Sequence, residues 1–387
     1  MHALSYCMVL PGPEAQQLAT YIGWLLHGTR GGLVAGTLFV LPGFLAMLAL
    51  SFAYVFWREH AVVDGLLLGL KAAVIAIVVD ALVRLSRKAL RALPARIVAV
   101  AAFLALAVLR VPFPIVIVAA GILGAIGVVR IGSDPPRDPS TMESRDAPPS
   151  LRRTLKVLTL CLLSWFAPVA LCAMLLGAGS VFTQLGVFFS KMAVVTFGGA
   201  YAALGYVAQD AVTRYAWVTP TQMVDGLGLA ESTPGPLILV LQFVGFLAAY
   251  QASGNAFPAL AGIAGALMTV WVTFVPSFLW ILVGAPYVER LRGNRTLANA
   301  LGAITAAVVG VIANLALWFA LHVLFARQAE YRVLEFTSLQ LPDPTSLQAA
   351  PAALTAIALL LLLALRLPLS RTLGLCVLLG LAVRLSA

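Results

Sequence analysis

The stretch GLGLAESTPGPLILVLQFVGFLAA, residues 226–249, decides how this sequence is read. Within it, Thr233-Pro234-Gly235-Pro236 interrupts an apolar segment. Two prolines remove two backbone donors, and the glycine between them opens backbone angles closed to other residues, so a helix breaks there. At membrane depth such a break is tolerated only where it is buried in protein or lines a cavity. The helix that restarts beyond it has unsatisfied N–H groups and a partial positive charge at its first turn, which suits an anion.

The rest of the chain agrees with a membrane setting. Of 387 residues, 61% are hydrophobic and 10% are charged, against about 25% charge in soluble domains. About 20 apolar residues cross a bilayer core, and the chain has apolar stretches along its whole length. The predicted helices are 14–27, 31–57, 62–83, 97–109, 111–130, 157–176, 181–207, 229–250, 258–284, 297–325, 350–365 and 369–386, with a loop at 326–348. Residues 131–156 carry Asp134-Pro135-Pro136, Pro148-Pro149 and mixed charges, which reads as a flexible linker. With these helices, 18 of the 25 Lys and Arg residues fall on one side and five on the other, while Lys71 and Lys191 lie inside helices. That bias places the linker in the cytoplasm. It also makes a nucleic-acid reading of the +10 net charge unnecessary. The four cysteines form no CxxC pair and read as small hydrophobes in helices.

The two halves resemble each other. Leu10-Pro11-Gly12-Pro13 matches Thr233-Pro234-Gly235-Pro236, and Tyr21-Ile22-Gly23 matches Phe243-Val244-Gly245. Leu41-Pro42-Gly43-Phe44 matches Val275-Pro276-Ser277-Phe278, and Ala72-Ala73-Val74-Ile75 matches Ala306-Ala307-Val308-Val309. Leu109-Arg110-Val111-Pro112 matches Leu365-Arg366-Leu367-Pro368. Matching segments lie an odd number of crossings apart, so the repeats run in opposite directions through the membrane, as in many secondary transporters. The expected fold is an all-α integral membrane protein of about twelve transmembrane helices, in two inverted-topology repeats with Pro-Gly-Pro-broken helices. Residues 1–130 form the first repeat, 131–156 the linker, 157–180 a connecting helix and 181–387 the second repeat. The helix carrying Phe197-Gly198-Gly199 has no counterpart before Pro11, so the first half is expected to be N-terminally shortened.

These readings converge on a candidate anion site. It comprises Pro11, Gly12, Pro13, Thr233, Pro234, Gly235 and Pro236 at the two breaks, with Thr196, Phe197, Gly198, Gly199 and Lys191. Intramembrane ionisable groups are costly and usually functional. Lys191 is a candidate cation for the anion, and Glu14 and Glu231, which flank the breaks, are candidates for proton coupling. Alternatively, Lys191 snorkels to the interface and the two glutamates only complement helix ends. Gly198 and Gly199 permit close helix approach or another break. Lys71 and Asp80, nine residues apart on one helix, cannot pair directly and stay unassigned. No metal-ligand cluster, cofactor signature, Walker motif or catalytic constellation is present, so neither an enzyme nor an ATP-driven pump is expected.

Phe188-Phe189-Ser190-Lys191, Thr196-Phe197-Gly198-Gly199-Ala200-Tyr201, residues 226–236 and Leu10–Gly23 with Gly31–Gly36 together resemble the chromate ion transporter family. The resemblance covers most of the chain. It implies a two-half inner-membrane exporter of chromate that confers resistance and uses the proton-motive force. The implied partners are chromate or a sulfate-like dianion, protons, the lipid bilayer and a second copy of the chain. Family members with both halves carry a Gly-Gly helix in each, and this chain lacks the first. Physics alone does not separate chromate from sulfate, both tetrahedral dianions. The alternatives are a sulfate or other small-anion transporter, or a non-transporting truncated membrane protein.

Overall fold

The computed structural model describes residues 7, 10–127, 151–254, 257–284, 294–334 and 337–386. The central part of the predicted linker, 131–150, and Lys-Arg positions such as Arg290 and Arg292 lie outside the described residues. Helix α1 spans Glu14–Trp57 but reverses at His27 and Gly28, whose φ/ψ of −137°/23° and 62°/−153° are not helical. It is therefore two antiparallel arms, matching the two predicted helices 14–27 and 31–57. Then follow α2 (Ala61–Ala89), α3 (Leu93–Ala107), α4 (Phe113–Ala125), α5 (Leu151–Leu176), α6 (Val181–Val195), α7 (Ala200–Gln209) and α8 (Pro220–Ser232). The chain continues with α9 (Val240–Ala252), α10 (Pro258–Gly284), α11 (Arg295–Leu324), α12 (Ala349–Leu359) and α13 (Leu369–Ser386).

Six of these helices are long and apolar enough to cross a bilayer by themselves. Five further apolar segments have 10–17 residues, shorter than the roughly 20 that a crossing needs. The protein is a helical membrane protein, but its helices depart from expectation in three places. The predicted helix 181–207 breaks at 196–199 into α6 and α7. The predicted helix 229–250 is two elements, α8 and α9, with the Pro-Gly-Pro turn between them. Its first part begins nine residues early, where Thr219 and Gln222 form a capping box with Pro220 in the first turn. The predicted loop 326–348 contains an antiparallel hairpin, β1 (Gln328–Leu334) with β2 (Thr337–Pro342), pairing Gln328 with Pro342. Alternation of polar and β-prone residues in Glu330-Tyr331-Arg332-Val333 favours a strand over a helix turn there. The hairpin is a local addition in a loop, and the fold remains that of an all-α membrane protein. The predicted linker also ends earlier, because Leu151–Lys156 already belong to α5.

Helix α2 is the centre of the bundle: Ala72 to Val78 is an unbroken buried run. It packs against α8, α11, α12 and α13, whereas α11 packs against α2, α3 and α4. Without a hydrophobic drive between helices in lipid, small residues set the close approaches. A Cβ on Gly69 would run into the Cys376 carbonyl, and one on Gly380 into the Gly69 backbone. The two arms of α1 meet in the same way through Gly23 and Gly31, and α9 meets α10 through Gly245 and Gly265. Helix α5 is the outlier. Leu163, Leu171, Met174 and Leu175 are all exposed, which is costly in water and ordinary in hydrocarbon. Two indole bonds tether it: Trp165 Nε1 donates to Ser190 Oγ at 3.0 Å, and Trp271 Nε1 to the Ser164 carbonyl at 2.8 Å.

Gly69→Ile is expected to lower stability by about 1–3 kcal/mol through overpacking. Gly374→Ile, at a position with open space around it, should change it far less. Thermal unfolding in detergent, followed by tryptophan fluorescence, compares the two.

Candidate functional site

The first Pro-Gly-Pro stands directly before α1. Gly12 adopts φ 106°, a value reserved for glycine. Its N–H donates to the Thr196 carbonyl at 3.0 Å, so the turn is pinned to the end of α6. The Gln17 side chain, one turn into α1, donates from Nε2 to the Pro11 carbonyl at 2.7 Å. Pro13 and Gly12 are buried. A Cβ on Gly12 would stand 3.2 Å from Ser277 Oγ and 3.3 Å from Gln17 Nε2, so the turn has no room for a side chain. Around it lie buried polar atoms with no hydrogen-bond partner among the described residues: Gln16 Oε1, Gln17 Oε1 and Ser277 Oγ. Free hydrogen-bonding capacity buried beside an unsatisfied helix start is a setting in which a polar ligand or water completes the bonds.

The second Pro-Gly-Pro links α8 to α9 through a 3-10 turn at Leu237–Leu239. Gly235 has φ 134° and stands against Gly43, with 3.1 Å from its Cβ position to the Gly43 Cα. Phe44, the next residue, accepts from Gln242 Nε2 at 2.9 Å. The two turns are thus seated in a crossed manner. The first rests on Ser277 after Pro276 in α10, and the second on Gly43 after Pro42 in α1. Pro234 and Gly235 are exposed, unlike the first turn.

A third interruption lies between them. Residues 196–199 leave the helix, with Gly198 at φ 85° and Gly199 at φ 89°. Thr196 caps α6, donating its hydroxyl to the Met192 carbonyl at 2.7 Å, while its own carbonyl takes the Gly12 N–H. A Cβ on Gly199 would lie 3.9 Å from Glu14 Oε1. Two residues on, the Tyr201 hydroxyl donates to Glu231 Oε1 at 2.7 Å. Each Pro-Gly-Pro therefore has its neighbouring glutamate or backbone joined to the 196–201 segment. Positive charge reaches the same place from the end of α2: Lys88 acts electrostatically on Glu14, and Arg84 on Glu231 and Tyr201. Arg84 pairs with Asp80 at 2.9 Å. Asp80, Arg84, Arg87 and Arg366 line a cavity of about 350 Å³.

The predicted site residues fall into two groups. Pro11, Gly12, Pro13, Glu14, Thr196, Gly198, Gly199, Glu231, Thr233 and the second Pro-Gly-Pro gather around the three interruptions, with Phe197 packed on the core. Lys191 does not join them. It is exposed on the stripe of α6 that carries exposed Val187 and Val194. Sequence reading passed over Gln16, Gln17, Tyr201, Ser277 and Arg84. The match of Pro276-Ser277 to Pro42-Gly43 was the signal for Ser277, and Tyr201 stands two residues after the Gly198-Gly199 break. Sequence reading also missed Asp225. It is fully buried, 3.2 Å from Lys71 Nζ, and accepts from the Tyr54 hydroxyl at 2.9 Å. Lys71 thus pairs with Asp225 and not with Asp80.

Among families of known sequence pattern, the one described as "Chromate transporter" matches residues 1–125 and 183–383. The chain is 36% identical over 317 residues to a chromate transport protein of Pseudomonas aeruginosa, covering 80% of this chain and 68% of that one. It is 28% identical over 314 residues to a chromate transport protein of Cupriavidus metallidurans, covering 80% and 69%. An uncharacterized transporter of Methanocaldococcus jannaschii is 24% identical over 329 residues, covering 85% and 76%. No solved structure matches the chain.

Gly12→Ala is expected to destabilise the fold by about 1–3 kcal/mol, because alanine must adopt a glycine-only conformation in a closed space. Ser277→Ala should cost less than about 1 kcal/mol, since its hydroxyl bonds nothing among the described residues. Chemical or thermal unfolding in detergent ranks the two variants.

Proposed function

The chain belongs to the chromate transporter family, and from that premise we propose that it carries chromate through the membrane at the meeting of its three helix interruptions. The observation that carries this reading is the hydrogen bond from Gly12 N–H to the Thr196 carbonyl. It ties one Pro-Gly-Pro helix start to the same segment that Glu231, beside the other, reaches through Tyr201. A dianion placed there meets the positive end of α1, the start of α7 beyond Gly199, and the field of Arg84 and Lys88. Free capacity on Gln16, Gln17 and Ser277 suits its oxygen atoms.

The transport cycle follows from inverted repeats. The crossed seating of the two turns supports that arrangement: Gly12 on Ser277, Gly235 on Gly43. So does the exchange of partners, with α2 packed on α12 and α13 and its counterpart α11 packed on α3 and α4. The matched turn residues Arg110 and Arg366 share positive φ values of 51° and 52°. On this reading residues 1–130 and 181–387 are the two repeats, 157–180 connects them, and the 131–156 linker is cytoplasmic in a bacterial inner membrane. Alternating access moves one repeat against the other around the shared site. Chromate leaves the cell, the proton-motive force drives the cycle, and chromate resistance results. Glu231 and Glu14 exchange the coupling protons. The cation at the site is the basic end of α2, with Lys191 on the outer face of α6.

Everted vesicles containing the chain should accumulate radiolabelled chromate in a saturable manner. Background uptake beside a transporting relative would overturn the reading, and full inhibition by equimolar sulfate would shift it to a general dianion carrier. Glu231→Gln is expected to flatten the pH dependence of uptake. Lys191→Ala and the hairpin variant Arg332→Ala should leave half-saturation within about twofold, and a tenfold loss for Lys191→Ala, about 1.4 kcal/mol, would put the binding cation on α6.

A further inference from the structure

Away from the three interruptions, the bundle encloses an ionic network that the anion site does not use. The Asp225 carboxylate is completely shielded, held between Lys71 Nζ at 3.2 Å and the Tyr54 hydroxyl at 2.9 Å. Lys71, from the middle of α2, is 17% exposed. Burying a charged pair at membrane depth is costly, and ion pairs that persist there mark ion or proton pathways. The arrangement opens at Tyr54. Tyr54 also lines a cavity of about 410 Å³ with Arg58, Glu59, Gln222 and Tyr250. That cavity lies at the end of α2 opposite to Arg84 and Lys88, because α2 runs from Ala61, just after Arg58, to Ala89.

We propose that Asp225 is a proton-binding site of the transport cycle, reached from the cavity at residues 54–59 through the Tyr54 hydroxyl, with Lys71 as its counter-ion. It rests on the transport reading above and adds a second proton site to it, since Glu231 lies six residues, about 9 Å, further along α8. In the step, Tyr54 passes its hydroxyl proton to Asp225 Oδ2 and takes one from a hydronium ion in the cavity, which is left as water, so the phenol is regenerated and one proton enters. Once Asp225 is neutral, Lys71 has lost its partner and the local field becomes positive. Return of the proton along the same route restores the pair. The charged or titratable groups facing Asp225 are Lys71 from α2 and Tyr54 and Arg58 from α1. The buried residues of the neighbouring α9 and α11 include no charged side chain.

The test uses the full chain in liposomes, with radiolabelled chromate and pH varied separately on each side. A single titrating carboxylate changes its protonation ratio tenfold per pH unit, and the wild-type rate should follow pH on the cavity side by several-fold. In Asp225→Asn that response should fall below about twofold, and in Tyr54→Phe the response to a pH jump should slow by several-fold with its midpoint kept. A wild-type pH response in Asp225→Asn overturns the proposal. So does a Lys71→Met/Asp225→Leu double variant that regains both wild-type rate and wild-type pH response, because the pair is then only structural. Infrared difference spectra give a readout free of the anion: a protonated-carboxyl band that titrates in wild type and vanishes in Asp225→Asn. Its absence from wild type overturns the proposal even if Asp225→Asn fails to fold. Liposomes of wild type that move no chromate while this band titrates would strike the transport reading alone.

Discussion

A backbone amide or carbonyl released at the depth of a bilayer has no water to bond, so every interruption of a helix must find its partner inside the protein. This constraint organises the molecule. The Gly12 N–H is answered by the Thr196 carbonyl, and the Pro11 carbonyl by Gln17. The Phe44 carbonyl, which follows the kinking Pro42, is answered by Gln242. Each answer comes from another element or another turn, and together they draw α1, α6, α9 and α10 to one place. Proline and glycine break the helices; the debt of unpaired backbone then brings the breaks together. Polar side chains and bonded backbone groups inside an apolar bundle are the result, at no cost of a separate scaffold.

The same economy holds for charge. Arg84 and Lys88 stand at one end of α2, Lys71 in its middle and Arg58 just before its start, so the central helix carries positive charge at three depths. Two of them pair with an acid from elsewhere or from one turn away: Arg84 with Asp80 and Lys71 with Asp225. Between Lys71 and Asp80 the helix is Ala, Val and Ile, and its run Ala72 to Val78 is buried among its neighbours. A rigid central rod with charges at fixed heights, wrapped by elements from both halves of the chain, distinguishes this bundle from a simple ring of helices.

Much of this was legible in the sequence because its signals are local. Apolar runs give the long helices, proline and glycine give the breaks, and paired motifs such as Leu109-Arg110-Val111-Pro112 and Leu365-Arg366-Leu367-Pro368 give matching turns. The class of transporter was legible from long motifs in order. What was not legible depends on direction around a helix axis and on partners distant in sequence. Lys191 sits close to Thr196 in sequence, yet the helix turns it to the outer face. Asp225 was hidden because it stands among Gly226, Leu227 and Gly228, a stretch too poor in bulk to read as a helix, and its partner Lys71 lies in the other half. The hairpin at β1 and β2 was missed because its short alternating run sits in a segment whose neighbours are all helical.

The reversal at His27 and Gly28 leaves the two arms of α1 pressed together at Gly23 and Gly31, backbone to backbone. With no side chain between them, the arms have no slack in which to slide or spread like scissors. They form a plank that tilts as one piece, with the Gly12 turn at one edge and Gly43, the seat of the other turn, on its longer arm. Any rocking of this plank shifts both turns at the same moment and by amounts fixed by its length, so the two turns are geared to each other by the covalent chain itself.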